Sequence, residues 1–214
     1  MPEDAIALLD AVCEGRRTPS GILASALGLL DDLVGERSAG LLPALSVALA
    51  GIRHGMGYTV FEAEKNGLSS ELLCFVPLGE NCEINRLTLR NNTKDIKQVE
   101  VVSALEWCLW NAVDDAANFQ RNFNTGEVEV KGSTIYHKTE YRERRNHYAF
   151  FTVNRPITGF DTDRDTFLGR FGGYDAPQTV VAGKSGNSIV HGWAPIASHR
   201  LSISLTPGEE TSLI

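Results

Sequence analysis

The hydrophobic period of this chain changes abruptly near residue 50, and that change restricts the fold more than any other feature. Before it, Ile6, Leu9 and Val12, then Ile22, Leu23, Ala26, Leu27, Leu30, Leu33 and Val34, recur at helical spacing. The segment contains no aromatic residue, and Pro19-Ser20-Gly21 and residues 35–40 interrupt it. The spacing predicts two or three short amphipathic helices over residues 1–50, with Ser20 capping the second. Beyond Gly51 the period is two. Val99, Val101, Leu105 and Trp107 alternate with Gln98, Glu100, Ala104 and Glu106. Val128 and Val130 alternate with Glu127 and Glu129, and Leu201, Ile203 and Leu205 with Ser202, Ser204 and Thr206. Turn-forming residues separate such runs at 64–67, 78–81, 91–95 and 206–208, with Asn66-Gly67 the strongest hairpin signal. Strands of this kind, wet on one side and dry on the other, predict a mainly β fold. Its form is an antiparallel β-sandwich over 51–214, preceded by the short α-helical N-terminal segment over 1–50.

Composition narrows the function. An apolar fraction of 43% over 214 residues supplies a core, which argues against disorder. With 27 acidic against 20 basic side chains and a net charge of −7, nucleic acid is not the expected partner. Cys13, Cys74, Cys82 and Cys108 form neither a CxxC pair nor a zinc-like spacing with histidine, so they read as separate thiols in a reducing compartment. Met1-Pro2-Glu3-Asp4 is acidic where a secretion signal is basic, and the weakly polar run from Ala39 to Ile52 is too short to cross a bilayer and contains Pro43. The expectation is a soluble cytoplasmic protein with no membrane partner.

Two stretches depart from the strand pattern. Leu105 to Phe123 joins two tryptophans to an acidic pair and an Asn/Gln/Arg cluster, and reads as a long loop on a β scaffold, where function tends to reside. Trp107, Trp110, Phe119 and Phe123 offer flat apolar faces to sugar C–H groups, and Asn118, Gln120 and Arg121 offer donors to hydroxyls. The same aromatics also suit a sandwich core. His137 to His147 packs four cations and two carboxylates into a short span. Arg142, Arg144 and Arg145 match anions geometrically, yet strand alternation divides them between two faces, as on a solvated strand.

Other motifs are weaker. Asp114-Asp115, or Asp161, Asp163 and Asp165, supply carboxylates for acid–base chemistry, although acidic residues in loops mostly form turns and caps. The Asp161 series lacks the glycine and distal glutamate of a calcium loop. Gly183-Lys184-Ser185 lacks the earlier glycine of a phosphate-cradling loop, since Gln178 stands there, and no Gly-x-Ser-x-Gly elbow occurs. The sequon Asn91-Asn92-Thr93 reads as a turn.

Several segments carry a family resemblance when taken in order: Arg53-His54-Gly55-Met56-Gly57-Tyr58-Thr59, Phe75 to Asn81, Cys108-Leu109-Trp110-Asn111-Ala112, Asn118 to Asn122 and Tyr136 to Arg145. Gly159 to Asp165, Phe167-Leu168-Gly169, Ser198-His199 and Pro207-Gly208-Glu209 complete the series. Over residues 52–214 the chain resembles cellobiose phosphorylase and its inverting relatives acting on cellodextrin and chitobiose. The resemblance implies an N-terminal β-supersandwich, followed in that family by a helical linker, an α/α barrel with the catalytic aspartate, and a small C-terminal sheet. There the aspartate protonates the glycosidic oxygen while inorganic phosphate, the co-substrate, attacks the anomeric carbon. No protein nucleophile, metal or other cofactor takes part. The resemblance also implies a homodimer in which one subunit's sandwich closes the other's active site. It makes Arg121 the candidate contact to a β-linked glucose disaccharide, with Asn118, Gln120, Asn122 and Trp110 beside it.

Residues 1–50 match nothing in that resemblance, so the sandwich is expected to be incomplete. The chain ends where the family's sandwich ends, and no catalytic residue is expected in it. The expected role is sugar contact and assembly, with a second copy or with a catalytic portion. A structural module that self-associates through residues 1–50 and binds no sugar is the alternative.

Overall fold

The computed structural model describes residues 49–107, 125–139, 148–193 and 195–214. In chain order the described elements are β1 (Leu49–His54), β2 (Tyr58–Lys65), β3 (Leu68–Phe75), β4 (Ile84–Asn91), β5 (Lys97–Glu106), β6 (Thr125–Lys131), β7 (Thr134–Thr139), β8 (Tyr148–Thr152), β9 (Gly159–Asp163), α1 (Arg164–Leu168), α2 (Gln178–Val181), β10 (His191–Trp193), β11 (Pro195–Leu205) and β12 (Glu210–Leu213). The mainly β expectation holds throughout these residues. The helices expected over residues 1–48 lie outside them. The first described strand, β1, starts at Leu49. Its register on β2 shifts between Leu49 and Gly51, and this bulge removes the alternation by which a strand would be recognised.

Two compact units are formed. The first contains described residues 49–98 and Ser204–Ile214, whose strands build one antiparallel sheet in the order β1-β2-β3-β4-β12. Asn66 (φ 51°) and Gly67 (φ 73°) both occupy the left-handed region between the paired residues Lys65 and Leu68. That two-residue turn matches the twist of the strands it joins, as the Asn-Gly pair predicts. On one face Val60, Leu73 and Phe75 form a cluster with Tyr58 and Ile84 against it. Asn91 ties the turn after β4 to the chain before β12. The two N–H groups of its side-chain amide are shared among the carbonyls of Asp95 (2.7 Å), Leu205 (3.0 Å) and Thr206 (3.2 Å), and its oxygen accepts from Thr93 N (2.9 Å) and Thr93 Oγ1 (2.7 Å). The sequon asparagine is therefore a fully buried turn residue, as expected of a turn.

The second unit, Val99–Ile203, is a sandwich. A four-stranded sheet, β10-β6-β7-β8, packs on a three-stranded sheet, β5-β11-β9. Between them Val128, Ile135 and Ala197 form the core, with Leu105, Trp107, Val130, Phe151, Phe160 and Val190 against it. β11 is central and buried on both faces from Pro195 to Leu201. Its alternate face carries Ile196, which clusters with Val102, Phe167 and Leu168. Arg200, on that same face, donates to Thr179 O (2.8 Å) and Ser185 Oγ (3.3 Å) and pairs with Glu100 (3.4 Å).

The aspartates at 161 and 163 sit at the end of this sheet rather than in a loop. Asp161 is fully buried on β9 and accepts from Gly186 N (3.0 Å), Ser188 N (3.2 Å) and Ser188 Oγ (2.9 Å). Asp163 caps α1, accepting from the backbone of Asp165 and Thr166. Asp163 has the capping use expected of it, whereas Asp161, expected in a loop, is buried within a strand and holds a distant backbone segment. Ser185 of the Gly183-Lys184-Ser185 segment is likewise a partner of Arg200.

Candidate functional site

The strand register brings several chain segments to one end of the four-stranded sheet. Trp193 pairs with Thr125, Gly126 with Thr139, and Lys138 with Tyr148. The segment 108–124 therefore joins the sheet at the same end as the segment 140–147. Trp107, the last described residue before the first of these, stacks on His137 with ring centroids 5.1 Å apart and an interplanar angle of 14°.

The candidate sugar contacts Arg121, Asn118, Gln120, Asn122 and Trp110, together with Asp114 and Asp115, lie outside the described residues. Of the cationic run, His137, Lys138 and Thr139 are described, on β7; Arg142, Arg144 and Arg145 lie outside. His137 is only 3% exposed. Composition around it gives the impression of a solvated run, but its place two residues from the buried Ile135 puts it on the core face.

A second histidine occupies the same sandwich. His199 on β11 is fully buried and stacks on Phe151 of β8 at 4.7 Å and 6°. Among the described residues neither of its ring nitrogens has a hydrogen-bond partner, and the same holds for His137 Nδ1, Trp107 Nε1 and Ser198 Oγ. Burial without a charge partner disfavours the imidazolium, and pushes His137 and His199 each down to about 4. At neutral pH both rings are uncharged. They serve as flat polar-edged packing pieces and are unsuited to donating protons in catalysis. No group of three potential metal-ligating side chains occurs among the described residues.

The outer face of the same sheet has a different character. Tyr136 faces Phe150 directly across β7 and β8, and Tyr148 lies two residues along from Phe150. Their exposures are 44%, 61% and 70%, an aromatic surface that the sequence analysis missed. The signal was present in the alternation of Tyr148-Ala149-Phe150-Phe151-Thr152. Glu129 lies opposite Tyr136, and Lys138 opposite Tyr148, so charged groups border the rings.

Fold and site together define a β-sandwich module with an exposed aromatic outer sheet face. The model of the glycosyl hydrolase 94 supersandwich domain matches residues 37–214, and the chain belongs to that family. The match begins at residue 37, within the 1–50 segment that the resemblance left unmatched. The chain is 26% identical to N,N'-diacetylchitobiose phosphorylase of Vibrio proteolyticus, over 74% of this chain and 20% of the relative. It is 26% identical to solabiose phosphorylase of Paenibacillus borealis, over 74% and 21%. It is 32% identical to the cyclic beta-(1,2)-glucan synthase NdvB of Rhizobium meliloti, over 64% and 5%. The chain thus spans about a fifth of the phosphorylases' length and a smaller share of the synthase. These relatives support the family and do not single out cellobiose. No described helix is long and apolar enough to cross a membrane.

Proposed function

We propose that this chain is the sugar-contacting and assembly module of a glycoside phosphorylase. In this proposal it holds a β-linked disaccharide through the 118–122 segment and leaves bond cleavage to a catalytic portion. The observation that carries the proposal is the register at one sheet end, where Thr125, Thr139 and Tyr148 border both polar segments. A site built there rests on the ends of three paired strands. Arg121 supplies a planar guanidinium to paired sugar hydroxyls, the amides of Asn118, Gln120 and Asn122 supply donors and acceptors, and Trp110 covers a sugar face. Cellobiose is the preferred ligand in this proposal, the active assembly is a homodimer, and the location is cytoplasmic. Inorganic phosphate attacks in the catalytic portion, with no demand on the sandwich.

Calorimetric titration of the purified chain with cellobiose, glucose and N,N'-diacetylchitobiose tests this. Saturable binding at millimolar sugar is expected, with cellobiose tightest. Arg121→Ala is expected to weaken it roughly tenfold, the worth of a charged hydrogen bond. No heat with any of the three sugars overturns the proposal.

The aromatic outer face favours a second reading, a self-association module. Tyr136, Tyr148 and Phe150 are exposed beside β8, the edge strand of its sheet. Concentration-dependent sedimentation that is abolished by Tyr148→Ser/Phe150→Ser, with no sugar binding, selects that reading.

A further inference from the structure

The imidazole of His137 touches both borders of the segment 108–124. On one side it stacks on Trp107, immediately before that segment. On the other it lies against Gly126, one residue beyond the segment's junction with β6 at Thr125. A Cβ built on Gly126 would fall 2.3 Å from His137 Cε1, 2.7 Å from the carbonyl oxygen of Lys138 and 3.0 Å from His137 Nδ1, too close for any side chain. The register explains this contact. His137 pairs with Val128, and Gly126 is the next residue on the same face of β6, toward the sheet end. Glycine at 126 is thus the space into which the ring leans.

We propose that His137 is a positioning residue: its ring lies between Trp107 and Gly126 and fixes the separation of the two stems from which the 108–124 segment departs. Its further consequence, correct presentation of Arg121 to a sugar, rests on the function proposed above. An imidazole supplies a flat stacking ring there that stays neutral at physiological pH. The second buried histidine provides a control from within the same sandwich. His199 is equally buried and equally stacked, but on Phe151, which borders neither stem. General loss of packing and loss of the stem contact are therefore separable.

Trypsin reports on the segment without any sugar, because Arg121 is the only lysine or arginine between Trp107 and Lys131. The rate of cleavage after Arg121 is followed by mass spectrometry on the full chain, well below the melting temperature of each variant. His137→Ala and Gly126→Ala are expected to raise that rate roughly fivefold, the scale of a lost aromatic stack. His137→Phe, which keeps a stacking ring, is expected to restore most of the protection. His199→Ala is expected to lower the melting temperature about as much as His137→Ala while leaving the Arg121 rate unchanged. Equal acceleration by His199→Ala, or an unchanged rate in His137→Ala and Gly126→Ala, overturns the positioning role. Because no sugar is present, either outcome is independent of whether the chain binds one.

Discussion

Acid should destabilise this protein through its two buried histidines, by an amount the structure sets. His199 is fully buried with both ring nitrogens unpartnered among the described residues, and its pKa falls from 6.5 to about 4. The unfolded chain, with an ordinary imidazole, takes up the proton first as pH drops. Stability from the neutral ring is therefore complete above about pH 6.5 and is lost progressively down to the folded value near 4. Linkage over that window gives a loss of about 2 kcal/mol per histidine by pH 5 and about 3 kcal/mol by pH 4. His137, buried in the same sandwich, adds a similar amount. For a domain with a total of about 5–15 kcal/mol, the pair is a large fraction. The perturbation is His199→Phe, which keeps a ring against Phe151 and removes the titration. Urea unfolding at pH 7.5 and pH 5 should show the variant losing about 2 kcal/mol less than the parent between the two conditions. At pH 7.5 the variant should match or exceed the parent, since replacing His199 removes two buried unpaired nitrogens. Carboxylates titrate in both proteins and cancel in the comparison. Equal losses in parent and variant would refute this assignment of the acid sensitivity.

Two further outcomes follow from single residues in the first unit. Asn91→Ala removes an amide whose two N–H groups serve three carbonyls and whose oxygen accepts twice, all at a fully buried site, and should cost about 3 kcal/mol, read as a lower urea midpoint with unchanged slope. Cys74 is buried and its thiol is pushed up to about 12, chiefly by desolvation, whereas Cys82 is exposed. Alkylation at pH 8 followed by peptide mapping should label Cys82 rapidly and leave Cys74 unmodified until the protein unfolds.

Much of this fold was legible where partners are local or periodic. The Val99–Trp107, Val128–Val130 and Leu201–Leu205 alternations became β5, β6 and β11, and Asn66-Gly67 became the hairpin turn. Alternation failed where a buried position is polar. Asp161 is fully buried because Gly186 and Ser188, some 25 residues away, bring backbone and hydroxyl donors to it. No local pattern announces such partners. His137 was hidden by its neighbours, since Lys138 and the arginines beyond it make the run look solvated, while its stacking partner Trp107 lies 30 positions earlier. In β1 a bulge interrupts the period near its start. The proposed sugar contacts came from residue types and family resemblance, and the structure adds the sheet end at which their segment is anchored.

All three tryptophans border or belong to the proposed site. Trp107 precedes the segment, Trp110 lies within it, and Trp193 pairs with Thr125 at its end. The three indole N–H resonances of the 15N-labelled chain include that of Trp110, a proposed contact, and cellobiose titrated to millimolar concentration reads them directly. Sugar contact at this sheet end predicts a saturable shift of the Trp110 signal, identified by Trp110→Phe, that disappears in Arg121→Ala. Three indole signals unmoved by cellobiose, glucose and N,N'-diacetylchitobiose alike would contradict it.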